Sequence, residues 1–224
     1  QNIPIQADLA VLQQHYGMIT GKMSIEVNGK EYTLQQANKF FESHDRKLRE
    51  EVYRKINERR LQDKDELNIL FSKLVEKRNQ EALNAGFENY RDFKFKELGR
   101  FDYTKEDTFQ FHDSIKKHVV PLVKKIYEYK KAKLQLEQLR PWDMEAEPEG
   151  TRPLSPFETG KELLDKTIEV FTKIRPFFGD CLRQMNAMHQ LDLESRNGKA
   201  PGGYNMPRAE TGAPFIFMNA AQSM

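Results

Sequence analysis

The sequence of 224 residues contains a single cysteine, Cys181, so no disulfide can form within the chain and no cluster of cysteine ligands can hold a metal. A lone thiol is typical of a reducing compartment, and we expect a cytoplasmic protein. No apolar run approaches the roughly 20 residues that span a bilayer, and residues 1–10 lack the basic start and long apolar core of a signal peptide. The sequence therefore predicts neither a disulfide-rich secreted protein nor a membrane partner.

An excess of charge of either sign is also missing, because 36 basic residues nearly balance 34 acidic ones. This balance argues against a nucleic-acid partner held by bulk charge. Lysines do cluster in one segment, at Lys116, Lys117, Lys124, Lys125, Lys130, Lys131 and Lys133. The same segment contains apolar Val119, Val123 and Ile126, so we interpret these lysines as the solvated face of an amphipathic helix.

Motifs that carry complete chemistry are lacking as well. No histidine has a second histidine four residues away, the spacing that places two imidazoles on one helix face. The sequence contains no G-x-S-x-G elbow and no G-x-x-x-x-G-K-[ST] loop, and residues 199–203 are only a weak match to a phosphate-binding loop. The sequence therefore predicts no catalytic residue and no metal ligand within this chain.

Long helical patterns dominate what is present, since 38% hydrophobic and 31% charged residues favour long helices with one wet face. Apolar spacing and caps predict helices at 7–16, 45–85, 104–139, 155–175 and 179–190, and a shorter aromatic segment lies at 89–98. Gly86 should end the second helix, with a break near Gln62 as the alternative. Pro121 should kink the third helix, and Ser155 should cap the fourth.

Near the N-terminus the helical pattern is interrupted by an Asn-Gly pair at 28–29, which lies between segments of alternating apolar and polar residues. Both positions tolerate positive φ, so the pair predicts a β-hairpin at 23–34. Thr33 and Gln36 then have the spacing of a capping box, which predicts a short helix that buries Ala37, Phe40 and Phe41.

After Gln190 the sequence changes character. Residues 201–204 are Pro-Gly-Gly-Tyr, and residues 214–219 form an apolar run that Pro214 opens. Consecutive glycines let a backbone approach another chain closely, and a short apolar strand opened by proline is typical of a sheet edge, where an extended peptide can pair. A buried strand beside a flexible glycine loop explains the same residues, so both interpretations stay open.

The motif at 198–204, followed by Pro-Phe-Ile-Phe-Met-Asn at 214–219, resembles the oligoendopeptidase F family of zinc metallopeptidases, which are relatives of thimet oligopeptidase. The hairpin and the Asp45-Arg46-x-x-Arg49 motif are similar to the central region of that family. The resemblance implies a mainly α fold, with a long-helix array, a small β-hairpin and a C-terminal edge strand of a channel-lining sheet. Residues 1–224 would be one fragment of the catalytic domain, helical over 1–195 and forming the substrate-channel loop and strand over 196–224.

The resemblance also implies which residues meet substrate. The segment 214–219 matches the strand that holds the peptide in the family, and Gly202, Gly203 and Tyr204 lie on a neighbouring loop. The implied substrate-binding residues are Gly202, Gly203, Tyr204, Pro214, Phe215, Ile216 and Phe217. In the family a helix with an H-E-x-x-H motif follows and binds zinc, and the glutamate of this motif acts as general base.

The sequence ends at Met224, before such a motif. The resemblance therefore implies a fragment of a zinc-dependent oligopeptidase that cleaves internal bonds of short peptides. Zinc would be bound by the parent enzyme and not by this chain, which would be inactive without the remaining C-terminal part of its catalytic domain. A non-catalytic helical scaffold or peptide-binding module is the alternative.

The coding sequence beyond Met224 distinguishes these two functions. If the parent is a peptidase, we expect an H-E-x-x-H motif on an apolar helical pattern within about twenty residues. Sequencing of the complete gene checks this expectation, and a long extension without the motif would favour the scaffold.

Overall fold

The computed structural model describes residues 1–148, 150–151 and 154–220. They divide into two compact units that we describe separately. The helical unit comprises Gln1–Tyr16 and Gln62–Met144, and the sheet unit comprises Gly17–Leu61 and Glu145–Met224. Helices dominate both units, so the predicted mainly α fold is confirmed. Among the described residues, no helix is long and apolar enough to cross a membrane.

The helical unit contains the start of α1 (Ile3–Gly21), followed by α4 (Lys64–Asn84), α5 (Tyr90–Glu97), α6 (Lys105–Ser114) and α7 (Val120–Lys133). Polar contacts join α1 to α4, because the Asn2 amide donates to the Glu81 carbonyl oxygen at 3.0 Å and Lys77 pairs with Asp8 at 2.6 Å. The buried residues of these two helices include Leu9 on α1 with Leu70, Leu74 and Ala82 on α4.

The segment predicted as one helix at 45–85 is two helices, α3 (Arg46–Gln62) and α4. The backbone leaves helical geometry at Asp63, with φ −99° and ψ 11°. The alternative of a break near Gln62 is therefore confirmed. Gly86 has a φ of 80°, the left-handed conformation expected of a residue that ends a helix.

The segment predicted as a helix at 104–139 consists of α6, a π-helical turn at Ile115–Val119, and α7. Pro121 follows the π-helical turn within continuous helical backbone, because Val119 and Val120 both have right-handed helical φ and ψ. The predicted end at 139 is wrong, because α7 ends at Lys133. Gln135 has a φ of 53°, and its left-handed backbone cannot continue a right-handed helix.

The sheet unit begins with the hairpin β1 (Ser24–Val27) and β2 (Lys30–Thr33), followed by α2 (Leu34–Ala37), a 3₁₀ helix at Asn38–Glu42, and α3. Asn28 and Gly29 have φ of 52° and 74°, as the predicted turn requires. The capping box is also confirmed, because Thr33 Oγ1 accepts from the Gln36 N–H at 3.2 Å and the Gln36 side chain accepts from the Thr33 N–H at 3.0 Å.

Two helices follow, α8 (Gly160–Ile174) and α9 (Pro176–Ala187). The predicted cap at Ser155 is wrong, because Thr159 caps α8 by accepting from the Glu162 N–H at 3.1 Å. The predicted start of α9 at 179 is also wrong, since the helix begins at Pro176. Gly179 instead lies against α8, where an added Cβ would come within 2.0 Å of the Thr172 hydroxyl.

The last three strands form a separate sheet, with β3 (Leu191–Glu194), β4 (Tyr204–Met206) and β5 (Phe215–Ala220). Strand β5 lies between the other two, parallel to β3 and antiparallel to β4. The predicted strand at 214–219 therefore exists, but its predicted edge position is wrong for the described residues. Strand β5 is the central strand of this sheet, and all six of its residues are half-buried. Strand β3 was not predicted.

The cap of α8 provides a test of this structure. We expect Thr159→Ala to lower the free energy of unfolding by about 1 kcal/mol, because the Glu162 N–H would lose its acceptor. Ser155→Ala is the matched control and should change stability by less than about 0.5 kcal/mol. Urea unfolding of both variants checks this, and a larger loss for Ser155→Ala would contradict the observed helix start.

Candidate functional site

The three-stranded sheet has one face that carries aromatic side chains. Paired residues on neighbouring strands project to the same face. Tyr204 pairs with Phe217, Met206 pairs with Phe215, and Asp192 pairs with Phe217, so these five share what we call the aromatic face. Ile216, which pairs with Leu191 and Asn205, projects to the opposite face. The predicted site residues Phe215 and Phe217 are thus brought together, whereas Ile216 is separated from them.

Aromatic rings on this face form a row that ends in a cation on each side. The rings of Tyr204 and Phe217 stack at 5.0 Å with an interplanar angle of 4°, and Phe215 lies 6.4 Å from Tyr204. The Lys199 ammonium lies 4.5 Å from the Phe217 ring centroid, and the Arg208 guanidinium lies 5.5 Å from that of Phe215. The Tyr204 residue is 51% exposed, so this row is open to contact with a further side chain.

The Lys199 ammonium, at the Phe217 end of this row, also makes a cluster of polar contacts. The Lys199 side chain is only 1% exposed. The ammonium nitrogen Nζ contacts the carbonyl oxygens of Asp192 at 3.1 Å, Glu194 at 2.7 Å and Met218 at 2.6 Å. It also contacts Asp192 Oδ1 at 3.0 Å. These oxygens belong to the chain itself, so Lys199 joins β3 to β5 and is not arranged to receive a phosphate.

Asp192 accepts from two basic side chains. Arg196 binds both carboxylate oxygens, at 2.7 and 3.0 Å, and Lys199 binds one of them. The hydrogen bond from Arg196, supported by that from Lys199 and opposed by burial, lowers the pKa of Asp192 from 3.8 to about 2. The carboxylate therefore remains charged and keeps the Lys199 ammonium neutralised.

The glycine pair makes its close approach to strand β5 of the same chain. A Cβ at Gly203 would come within 3.0 Å of the Phe217 carbonyl oxygen, and Gly202 has a φ of +94°. The Asn219 side-chain amide donates to the carbonyl oxygens of Gly202 at 2.8 Å and Ala200 at 3.0 Å. Both glycines are therefore required by the sheet itself, whatever else approaches them.

The start of β5 is held by Gln190. The Ile216 N–H donates to the Gln190 carbonyl oxygen at 2.9 Å. With its amide nitrogen directed at the carbonyl oxygens of Ala213 and Pro214, the Gln190 side chain lies 3.0 and 3.1 Å from them. Pro214 thus precedes the strand, and its missing N–H costs no ladder bond.

Strand β4 is an edge of this sheet among the described residues, and all three of its residues are exposed. Alternate residues of an antiparallel strand direct their N–H and C=O groups away from the paired neighbour. Tyr204, which the sequence placed on a loop, is the first residue of this edge strand. Among residues 154–220 the outward main-chain groups of this sheet therefore lie on its two outer strands, β4 and β3, and not on β5.

Sequence reasoning missed Asp192, Arg196 and Asn219, and it considered Lys199 only for phosphate. A signal existed for β3, since Leu-Asp-Leu-Glu alternates as a half-buried strand does. Nothing local indicates that Lys199 folds back onto that strand. Within residues 1–148, 150–151 and 154–220, no group of three or more His, Cys, Asp or Glu side chains could hold a metal ion.

The sequence and the fold of this chain are similar to those of known proteins. The model of peptidase family M3 matches residues 40–224. The solved structure of Pz peptidase A with inhibitor 2 is 26% identical, with a TM-score of 0.91, and the match covers 99% of this chain and 39% of that one. A structure named as an oligoendopeptidase F is 27% identical, with a TM-score of 0.90, and the match covers 98% of this chain and 39% of that one.

A third structure, named as an oligoendopeptidase F from Bacillus anthracis strain Ames, is 22% identical and has a TM-score of 0.89, which shows the shared fold. That match covers 98% of this chain and 40% of the other. The chain thus spans about two fifths of the length of these three proteins. A comparison with curated proteins gives no match.

The lowered pKa of Asp192 makes a stability prediction. Its carboxylate contributes stability that is fully present above the unfolded pKa of 3.8 and is lost as the pH falls through about 2. As the pH is lowered, the free energy of unfolding should fall by up to about 2 kcal/mol less in Asp192→Asn than in wild type, because the variant has no carboxylate to protonate. Urea unfolding at several pH values checks the prediction, with the exposed Asp165→Asn as control. Parallel pH profiles for wild type and Asp192→Asn would contradict it.

Proposed function

The chain belongs to peptidase family M3, and from this premise we propose that the whole protein is a zinc-dependent metalloendopeptidase of the oligoendopeptidase F type. It hydrolyses internal bonds of short peptides in the cytoplasm. Residues 1–224 form a fragment of its catalytic domain, which the remaining C-terminal part completes. The match over 40–224 and the likeness to solved structures named as oligoendopeptidase F support this function.

The contribution of this chain is to bind the peptide, and the observation that carries this proposal is the free edge of β4 beside the aromatic row. An extended peptide adds to such an edge through main-chain hydrogen bonds, while neighbouring side chains select its residues. Tyr204 offers its half-exposed ring. The rings of Phe215 and Phe217 lie behind it, on the same face of the sheet.

The other predicted substrate-binding residues act through this edge. Gly202 and Gly203 form the turn that brings β4 against β5, where a Cβ at Gly203 has no room. Pro214 and Ile216 hold the start of β5 through Gln190. We therefore propose that Tyr204, Phe215 and Phe217 lie nearest the peptide, and that the other four residues maintain the surface it meets.

Zinc does not fit the described residues, because they include no group of potential ligands. We propose that its ligands and the general base lie in the part of the catalytic domain outside this chain, as the resemblance implies. The described residues would then place the peptide main chain next to that centre. The zinc and the general base outside this chain would supply the chemistry of bond cleavage.

A peptide-binding module without catalysis is the second candidate, because the same free edge of β4 suffices to bind a peptide. Treatment of the full-length protein with a zinc chelator separates the two. A peptidase should lose hydrolysis of short peptides and regain it on addition of zinc, whereas binding without hydrolysis in the untreated protein would favour the module.

Main-chain pairing with β4 predicts a pattern along the substrate. We expect N-methylation of single peptide amides to raise KM by about tenfold or more at alternate positions, because every second N–H faces the strand. The intervening N-methylated peptides are the matched controls. Steady-state kinetics of such a series checks the pairing, and equal effects at successive positions would contradict it.

A further inference from the structure

We infer that Lys199 is a positioning residue for peptide hydrolysis. Its buried ammonium holds β3, β5 and the glycine turn together and thereby sets the position of edge strand β4. The inference rests on the proposed function, because it concerns the surface that would bind the peptide. Lys199 itself does not touch the substrate.

Strand β4 has few contacts of its own to fix its position. It is three residues long, and all of them are exposed, so neither a long hydrogen-bond ladder nor a buried side-chain pattern sets its register. A register slip by one residue would turn the Tyr204 ring to the opposite face. Contacts outside the strand therefore add to the stacking of Tyr204 on Phe217 in determining where β4 lies.

Lys199 supplies those contacts at one end of the turn that leads into β4. Its ammonium contacts three carbonyl oxygens and one carboxylate oxygen at 2.6 to 3.1 Å, which belong to Asp192, Glu194 and Met218. An ammonium has three N–H donors, so these four oxygens share them. The contact to Met218 is the one that joins the turn to β5.

Asn219, the residue after Met218, secures the middle of the same turn. Its side-chain amide donates to the carbonyl oxygens of Ala200 and Gly202, which both lie between Lys199 and Tyr204 in the chain. The turn is thus tied to the end of β5 by two side chains. Lys199 reaches from the turn to β5, and Asn219 reaches from β5 to the turn.

A general stabilising role for Lys199 would predict a different result from a positioning role. Loss of folded enzyme lowers the apparent kcat and leaves KM unchanged, because the remaining molecules bind substrate normally. Displacement of β4 weakens peptide binding in every molecule and raises KM. The division of the effect between KM and kcat therefore separates the two roles.

The test uses the full-length protein and the variants Lys199→Met and Asn219→Ala. Lys199→Met keeps an unbranched side chain but removes the donors. We expect KM for a short peptide to rise about tenfold or more, with kcat changed by less than about threefold. Lys161→Met is the matched control, because that lysine is 83% exposed in the same unit, and its KM should equal that of wild type.

Asn219→Ala keeps the test decisive if Lys199→Met does not fold. It should raise KM in the same direction, and hydrogen exchange should accelerate at residues 199–206 and 215–220 but not in the hairpin. Unchanged KM and exchange in a folded variant would overturn the inference, as would a fall in kcat alone.

Hydrogen exchange also separates failure of this inference from failure of the proposed function. If wild type cleaves no peptide, the proposed function fails, while faster exchange in the turn and β4 of the variants would still support the positioning role. If wild type cleaves peptides and the variants match it in KM, the positioning role alone fails.

Discussion

The sheet unit depends on the burial of one ammonium group, that of Lys199. An ammonium removed from water costs several kcal/mol unless its donors are satisfied, and four oxygens surround this one. Those oxygens come from β3 and β5, so the two strands cannot separate without exposing them. Asp192 supplies the balancing charge, and Arg196 keeps that carboxylate ionised by lowering its pKa.

This arrangement changes which strand is available to a partner. The family resemblance implied that 214–219 is the edge, but β5 has a neighbour on each side among the described residues. The apolar character that made it look like a binding strand is that of a central strand. The outer strands of the described sheet are β3 and β4, and Lys199 and Asn219 hold the turn that leads into β4.

Local patterns predicted the parts of the fold that local forces determine. The hairpin at 28–29, the capping box at Thr33 and the stop at Gly86 each follow from a backbone conformation or a cap within a few residues. The errors at Ser155 and at the end of α7 concern helix boundaries. The cap at Thr159 sets the start of α8, and the left-handed backbone of Gln135 follows the end of α7. The order of the sheet could not be predicted, because contacts such as Lys199 with Met218 join residues that no pattern links.

A structure of the full-length protein with a bound peptide that it cannot cleave tests the central claim most directly. We predict that the peptide main chain pairs with β4 at Tyr204–Met206 and that one peptide side chain lies against the aromatic face. A peptide that pairs with β3 instead, or that contacts none of the three strands, would contradict this claim.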